Sequence, residues 1–140
     1  MKVRLRVGAG VAVCRPGAQV GSEVLLTRRG DNGRWDIPGG GKHGWETPVW
    51  AARRELREET GLRVGRLSRL GVWRGPAHRH TYPDGNVVDW TTHVFRAAYA
   101  GGEVQAGDDA AQARWWPLTD LPTDVSSATA VYFAALRSQP

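Results

Sequence analysis

Three glutamates, Glu55, Glu58 and Glu59, fall within one short stretch, WETPVWAARRELREETGL (45–62), of a chain whose formal charge is +5. The stretch reads as a helix: Thr47 can cap it, Pro48 suits its first position and Gly61 stops it. At about 100° per residue, Val49, Ala52, Leu56 and Thr60 form a stripe expected to face a core. The three glutamates fall on an adjoining face with Ala51, whose small side chain leaves space above the backbone. A solvated face knitted by ion pairs such as Arg54–Glu58 is one reading. Glu55–Glu59, however, is a like-charged i,i+4 pair, which destabilises a helix by about 0.2–0.5 kcal/mol, and the last turn of a helix is already negative. A hard divalent cation would offset both penalties. Mg²⁺ prefers carboxylate oxygens, retains waters and is completed by substrate phosphates.

Just before this helix lies GGGKHG (39–44), a match to G-x-G-x-x-G. A dinucleotide-binding loop would need a βαβ unit with an acidic residue about 20 positions on, after the next strand. Here that distance ends inside the same helix, and the rest of a P-loop is missing. The segment reads instead as backbone that passes close to a site, with a plain flexible connector as the alternative.

The elements that must position these residues follow from periodicity. Residues 3–14 alternate as a strand and 23–29 form a second, joined by a turn-rich connection. DNGR (31–34) signals a turn, and Trp35–Ile37 is short and extended before Pro38. Strands are expected over 62–73, 87–100 and 113–118, a loop with a Pro-Asp-Gly turn over 74–86, and a final helix over roughly 124–137. Strands mixed with two helices predict an α/β domain with a mixed sheet.

The chain has 140 residues, a length for one domain over 1–140, and 41% apolar residues, enough for a core. The alternating N-terminus carries Arg4 and Arg6, so it reads as a strand rather than a signal peptide, and no apolar run reaches membrane-span length. The single Cys14 excludes an internal disulfide framework and fits a reducing compartment, so a cytoplasmic location is expected. Cys14 reads as a small core residue rather than a nucleophile. The basic residues are nearly all Arg and are scattered, which disfavours a nucleic-acid polymer as partner but would suit a small phosphorylated ligand.

Gly40, Glu46 and the run Arg54-Glu55-Leu56-Arg57-Glu58-Glu59-Thr60-Gly61-Leu62 stand at the spacing G-x5-E-x7-R-E-U-x-E-E-x-G-U, with U aliphatic. This resembles the complete signature of the Nudix hydrolase family. WDIPGG (35–40) resembles that family's lead-in, and the order of elements along nearly the whole chain is similar too. The resemblance implies the Nudix fold, an α/β/α sandwich around a central mixed β-sheet. It implies Mg²⁺- or Mn²⁺-dependent hydrolysis of a nucleoside diphosphate linked to another moiety. By the same resemblance, Glu55, Glu58, Glu59 and the carbonyl of Gly39 would bind metal, and Arg54 would orient the glutamates with Glu46 as its partner. Gly40 and Gly61 would be structural. Asp109 stands where relatives carry a further acid that binds metal or acts as base, with Asp108 the competing neighbour. Trp45 departs from the Gly usual before the first signature glutamate, at a variable position.

Substrate identity is less legible. Arg28 and Arg29 at a strand end could hold phosphate or simply be exposed. Trp73, Trp90, Trp115 and Trp116 could stack a base or serve as core, and Trp90 is the one kept as a substrate residue. The segment 74–86, with His78, Arg79, His80 and Tyr82, reads as a solvated basic loop, a specificity loop or a dimer loop. It resembles the YPNG-type segment of Nudix members that act on ADP-ribose. ADP-ribose, nucleotide sugars, dinucleoside polyphosphates and nucleoside triphosphates, oxidised ones included, are the candidate substrates. A non-catalytic nucleotide-binding regulatory domain and an RNA-end decapping enzyme are the alternatives, and a homodimer is compatible with the family.

Overall fold

A computed structural model describes residues 3–17, 21–107 and 110–138. The strands are β1 (Val3–Pro16), β2 (Ser22–Arg29), β3 (Trp35–Asp36), β4 (Gly39–Gly41), β5 (Ser68–Trp73), β6 (Arg79–Thr81), β7 (Val87–Ala98) and β8 (Ala110–Pro117). The helices are α1 (Pro48–Thr60) and α2 (Ser127–Ser138), and a 3₁₀ turn covers Pro76–His78.

The sheet is mixed. β1 runs parallel to β7 from Val3↔Val87 to Cys14↔Ala98, the other pairings between these strands are antiparallel, and Trp35 makes an isolated parallel bridge to Val125. The sheet path is β3-β2-β1-β7-β5, with β4 on β1, β6 on β7 and β8 on β2. Alternation along β1 divides its side chains between two cores. Ala12 and Cys14 pack with Val94 and with Tyr132 and Phe133 of α2. Ala9, Val11 and Val13 pack with Ala51, Ala52 and Leu56 of α1 on the opposite face. The result is an α/β/α sandwich, as expected, with Cys14 in the core. Among the described residues, no helix is long and apolar enough to cross a membrane.

α1 has the expected ends. Thr47 Oγ1 accepts from the Trp50 amide at 3.2 Å, and Gly61 takes φ 75° while its amide donates to the Arg57 carbonyl at 2.9 Å. Ala52, Leu56 and Thr60 of the expected stripe are buried, but the buried arc is wider and displaced at its edge. Val49 is 38% exposed, whereas Ala51 is fully buried. At about 100° per residue, an arc running from Ala51 to Ala52 and Leu56 includes Glu55 and Glu59, which are half-buried. Glu55 and Glu59 are therefore pressed toward the sheet, whereas Glu58 stays exposed beside the buried face.

Other expectations shift. The 62–73 strand begins only at Ser68, β8 begins at Ala110, and α2 begins at Ser127. The glycine segment starts as strand β4, with Gly39, Gly40 and Gly41 opposite Gly10, Ala9 and Gly8. The 74–86 loop contains the 3₁₀ turn and β6, which pairs with Val87–Asp89 and so extends the sheet.

Candidate functional site

Arg54 is the hub of the carboxylate face. Its Nε donates to Glu46 Oε2 at 2.7 Å and its Nη2 to Glu46 Oε1 at 3.0 Å, a two-pronged pair. Nη2 also donates to the Gly41 carbonyl at 2.9 Å, which ties β4 to α1. Nη1 reaches Glu55 Oε1 at 3.0 Å and Glu58 Oε2 at 3.2 Å. The Glu46 side chain is shielded from solvent and also accepts from the His43 amide at 2.8 Å. Hydrogen bonds from Arg54, foremost, hold the Glu46 carboxyl down to about 2.

Glu59 is held from the other side. The Gly39 amide donates to Glu59 Oε2 at 2.8 Å. Burial, and then the neighbouring charge of Glu55, push the Glu59 carboxyl up to about 8. Burial also raises Glu55, against the opposing pull of Arg54. The glycines of β4 make room for this packing. A Cβ on Gly40 would lie 2.6 Å from Glu55 Oε1, and one on Gly39 would lie 2.6 Å from the Ala9 carbonyl oxygen.

A cavity of about 230 Å³ opens beside Gly39, Gly40 and Glu59 and extends under α2 and over β1 and β7 to the 3₁₀ turn and β6. Arg29 lines it, with Nε and Nη2 on the Asp31 carboxylate at 2.9 and 2.8 Å. Arg28 does not; its Nε donates to the Gly33 carbonyl at 3.0 Å. Trp90 lines the cavity and lies over Gly8, with the Arg6 guanidinium 5.1 Å from its ring centre. His78, Arg79, His80 and Tyr82 all line it as well, so the 74–86 segment is a wall of the cavity.

The other tryptophans pack elsewhere. Trp73 lies against Tyr132, Trp115 against Tyr99 and Arg15, and Trp116 against Trp35 and Arg114. Asp109 and Asp108 lie outside the described residues.

Sequence reasoning passed over Asp36. It lines the cavity, with Oδ1 accepting from Ser126 Oγ and from Thr129 Oγ1 at 2.8 Å, and burial raises its carboxyl. The only sequence signal was an acid inside the otherwise apolar WDIP run. Its partners stand 90 and 93 residues away, beyond the reach of any local pattern.

Among the described residues, no three His, Cys, Asp or Glu side chains converge into a ready-made metal cage. That donor set still fits a hard divalent cation, which is held by one or two carboxylates plus water and substrate phosphate rather than by an all-protein cage. Two half-buried glutamates whose carboxyls are both raised, one by the other's charge, form a place where added positive charge is favourable.

The NUDIX domain profile matches residues 4–136. The chain belongs to the NUDIX family. It is 38% identical over 104 residues to an ADP-ribose pyrophosphatase of Methanocaldococcus jannaschii, covering 72% of this chain and 58% of that one. It is 32% identical over 145 aligned positions to the human 8-oxo-dGDP phosphatase NUDT18, covering 98% of this chain and 41% of that one. This NUDIX chain thus spans about half the length of these curated relatives. Among solved structures, it superposes on a MutT NUDIX hydrolase from Burkholderia pseudomallei with TM-score 0.79 and 28% identity, covering 95% of this chain and 98% of that one. NUDIX family members generally use divalent metals.

Proposed function

We propose that this NUDIX chain is a divalent-metal-dependent pyrophosphohydrolase that splits a nucleoside diphosphate linked to a further moiety. The observation that carries the reading is Glu59. It lines the cavity, fixed by the Gly39 amide and crowded by Glu55, while Arg54 binds Glu55 and Glu58. Glu55, Glu58, Glu59 and the Gly39 carbonyl would supply the protein's donors to the cation, Mg²⁺ or Mn²⁺, with water and substrate phosphate completing its shell. When bound, it neutralises charge on the pyrophosphate and lowers the pKa of water. Arg54, locked by the buried Glu46, keeps the glutamates in register. A carboxylate takes the proton of the attacking water, with Asp109 and a signature glutamate as candidates. Water adds to a phosphorus atom, the bridging P–O bond breaks, and two phosphorylated products leave. Arg29 and Trp90 contribute to substrate binding along the cavity.

ADP-ribose is the first candidate substrate, supported by the 38% identical ADP-ribose pyrophosphatase. Oxidised guanine nucleotides are the second, supported by the 8-oxo-dGDP phosphatase relative. The test is a hydrolysis panel of ADP-ribose, nucleotide sugars, dinucleoside polyphosphates and normal and oxidised nucleoside triphosphates, with Mg²⁺ and with Mn²⁺. Wild type is expected to cleave at least one compound only with metal, and Glu58→Gln to lose at least about 100-fold in kcat. A silent panel, or full activity in Glu58→Gln, overturns the reading.

A further inference from the structure

Alternate residues of β1 share one face of the sheet. Along that face Cys14 and Ala12 pack with α2, Gly10 and Gly8 line the cavity, and Arg6 and Arg4 continue beyond it. These two arginines line a second depression of about 360 Å³, backed by the buried Val88 and closed by the turn from Tyr82 to Asn86. Tyr82 lines both hollows, so the depression continues the cavity. Where they meet, the Arg6 guanidinium lies 5.1 Å from the centre of the Trp90 ring, and its Nη2 lies 2.9 Å from where a Cβ on Gly41 would stand. Among the described residues, no carboxylate pairs with Arg4 or Arg6. Asp84, the acid in the lining, is engaged by its own turn: its Oδ1 accepts from the Asn86 amide at 2.9 Å and its Oδ2 from Asn86 Nδ2 at 2.7 Å. The depression therefore offers two guanidinium groups without an acidic partner, which suits an anion. Its place along the strand limits which anion. Gly10 stands opposite Gly39, whose amide binds Glu59. Arg6 and Arg4 come four and six residues before Gly10, about 13 and 20 Å away along the strand. Adjacent phosphates of a polyphosphate share one oxygen and do not span that separation, whereas a nucleoside is a spacer of the right order.

We propose that the depression lined by Arg4 and Arg6 is a subsite for a second phosphate, a phosphomonoester on the ribose of a nucleotide whose reacting phosphates lie at Glu59. Such a group carries close to two negative charges and three acceptor oxygens, which two guanidinium forks can share. The preferred substrates are then nucleotides phosphorylated on the 2′ or 3′ oxygen as well as at the pyrophosphate. The proposal deepens the reading above, since it takes the nucleotide to lie at Glu59, but it does not rest on turnover.

The test is calorimetry in the presence of Mg²⁺ with AMP, adenosine 2′,5′-bisphosphate and adenosine 3′,5′-bisphosphate, none of which contains a pyrophosphate to be split. Wild type is expected to bind one of the two bisphosphates at least about tenfold more tightly than AMP, the effect of a charge-assisted hydrogen bond, and to separate the two isomers. Arg4→Gln should reduce that preference over AMP to about twofold or less, and Arg6→Gln, made separately, should do the same. Arg66→Gln removes an equal charge from an exposed residue that lines neither hollow and should keep the preference. A wild type that binds none of the three, or binds both bisphosphates no more tightly than AMP, overturns the proposal. So does a preference that survives in both Arg4→Gln and Arg6→Gln. A preference that falls as far in Arg66→Gln, or that is equal for the two isomers, is the sign of long-range charge alone and overturns it too. A wild type that shows the preference yet hydrolyses nothing removes the hydrolase reading and leaves this one standing; one that hydrolyses nucleotides without the preference does the reverse.

Discussion

Arg54 joins four partners through one planar group: Glu46, Glu55, Glu58 and the Gly41 carbonyl. A lysine has no fork to divide among them. Arg54→Lys is therefore expected to behave nearly like Arg54→Ala, each losing about 10–100-fold in kcat/KM, the usual effect of removing a group that orients metal ligands. Near-wild-type activity in Arg54→Lys would show that charge alone suffices. The same pair has a pH signature. The Glu46 carboxyl is held at about 2 in the fold against 4.5 for a free glutamate, so the folded state favours its ionised form. Its contribution to stability is complete above pH 4.5 and is lost as pH falls from 4.5 toward 2. Urea titrations should find Glu46→Gln less stable than wild type at neutral pH, with the gap narrowing in acid; a gap independent of pH would contradict the assignment.

At the scale of elements, β4 and α1 are fitted to each other through glycines that differ in what surrounds them. A Cβ on Gly39 would meet the Ala9 carbonyl and the Gly10 Cα, both main chain, whereas the atoms nearest to one on Gly40 belong to the Glu55 carboxylate. Main chain in a sheet cannot step aside, but a side chain can. Gly39→Ala is expected to destabilise by about 1–3 kcal/mol, the range for overpacking. Gly40→Ala should retain more stability but lose activity, because Glu55 is displaced. Thermal melts beside a hydrolysis assay check the contrast, and equal losses of stability would refute it. The ends of α1 were legible in the sequence because caps are local: Thr47, Pro48 and Gly61 act within one turn. The widening of its buried face to Ala51, Glu55 and Glu59 was not. Sequence periodicity sorts residues by polarity, and Glu55 and Glu59 are polar residues turned partly inward. β6 was missed because its three residues become a strand only against β7.

At the scale of the whole molecule, the carboxylate signature was readable because its members lie within one loop and one helix, but the cavity that Glu59 lines was not. Its walls run from Gly8 on β1 to Tyr132 on α2, and no local pattern links such distant segments. Net charge is the global property that was legible, and it carries a prediction of its own. The chain is +5, and Arg4 and Arg6 line a depression that shares Tyr82 with the cavity. Positive charge beside a cavity raises the arrival rate of an anionic substrate more than it changes the chemical step. kcat/KM should therefore fall as salt rises from about 0.05 to 0.5 M, where the screening length shrinks to a few ångströms, while kcat changes little. Replacing both Arg4 and Arg6 by Gln should flatten that dependence and lower kcat/KM at low salt, with kcat again nearly unchanged. An unaltered salt dependence in the double variant would place the steering charge elsewhere. A loss confined to kcat would mean that these arginines act on the reacting groups and not on the approach of substrate.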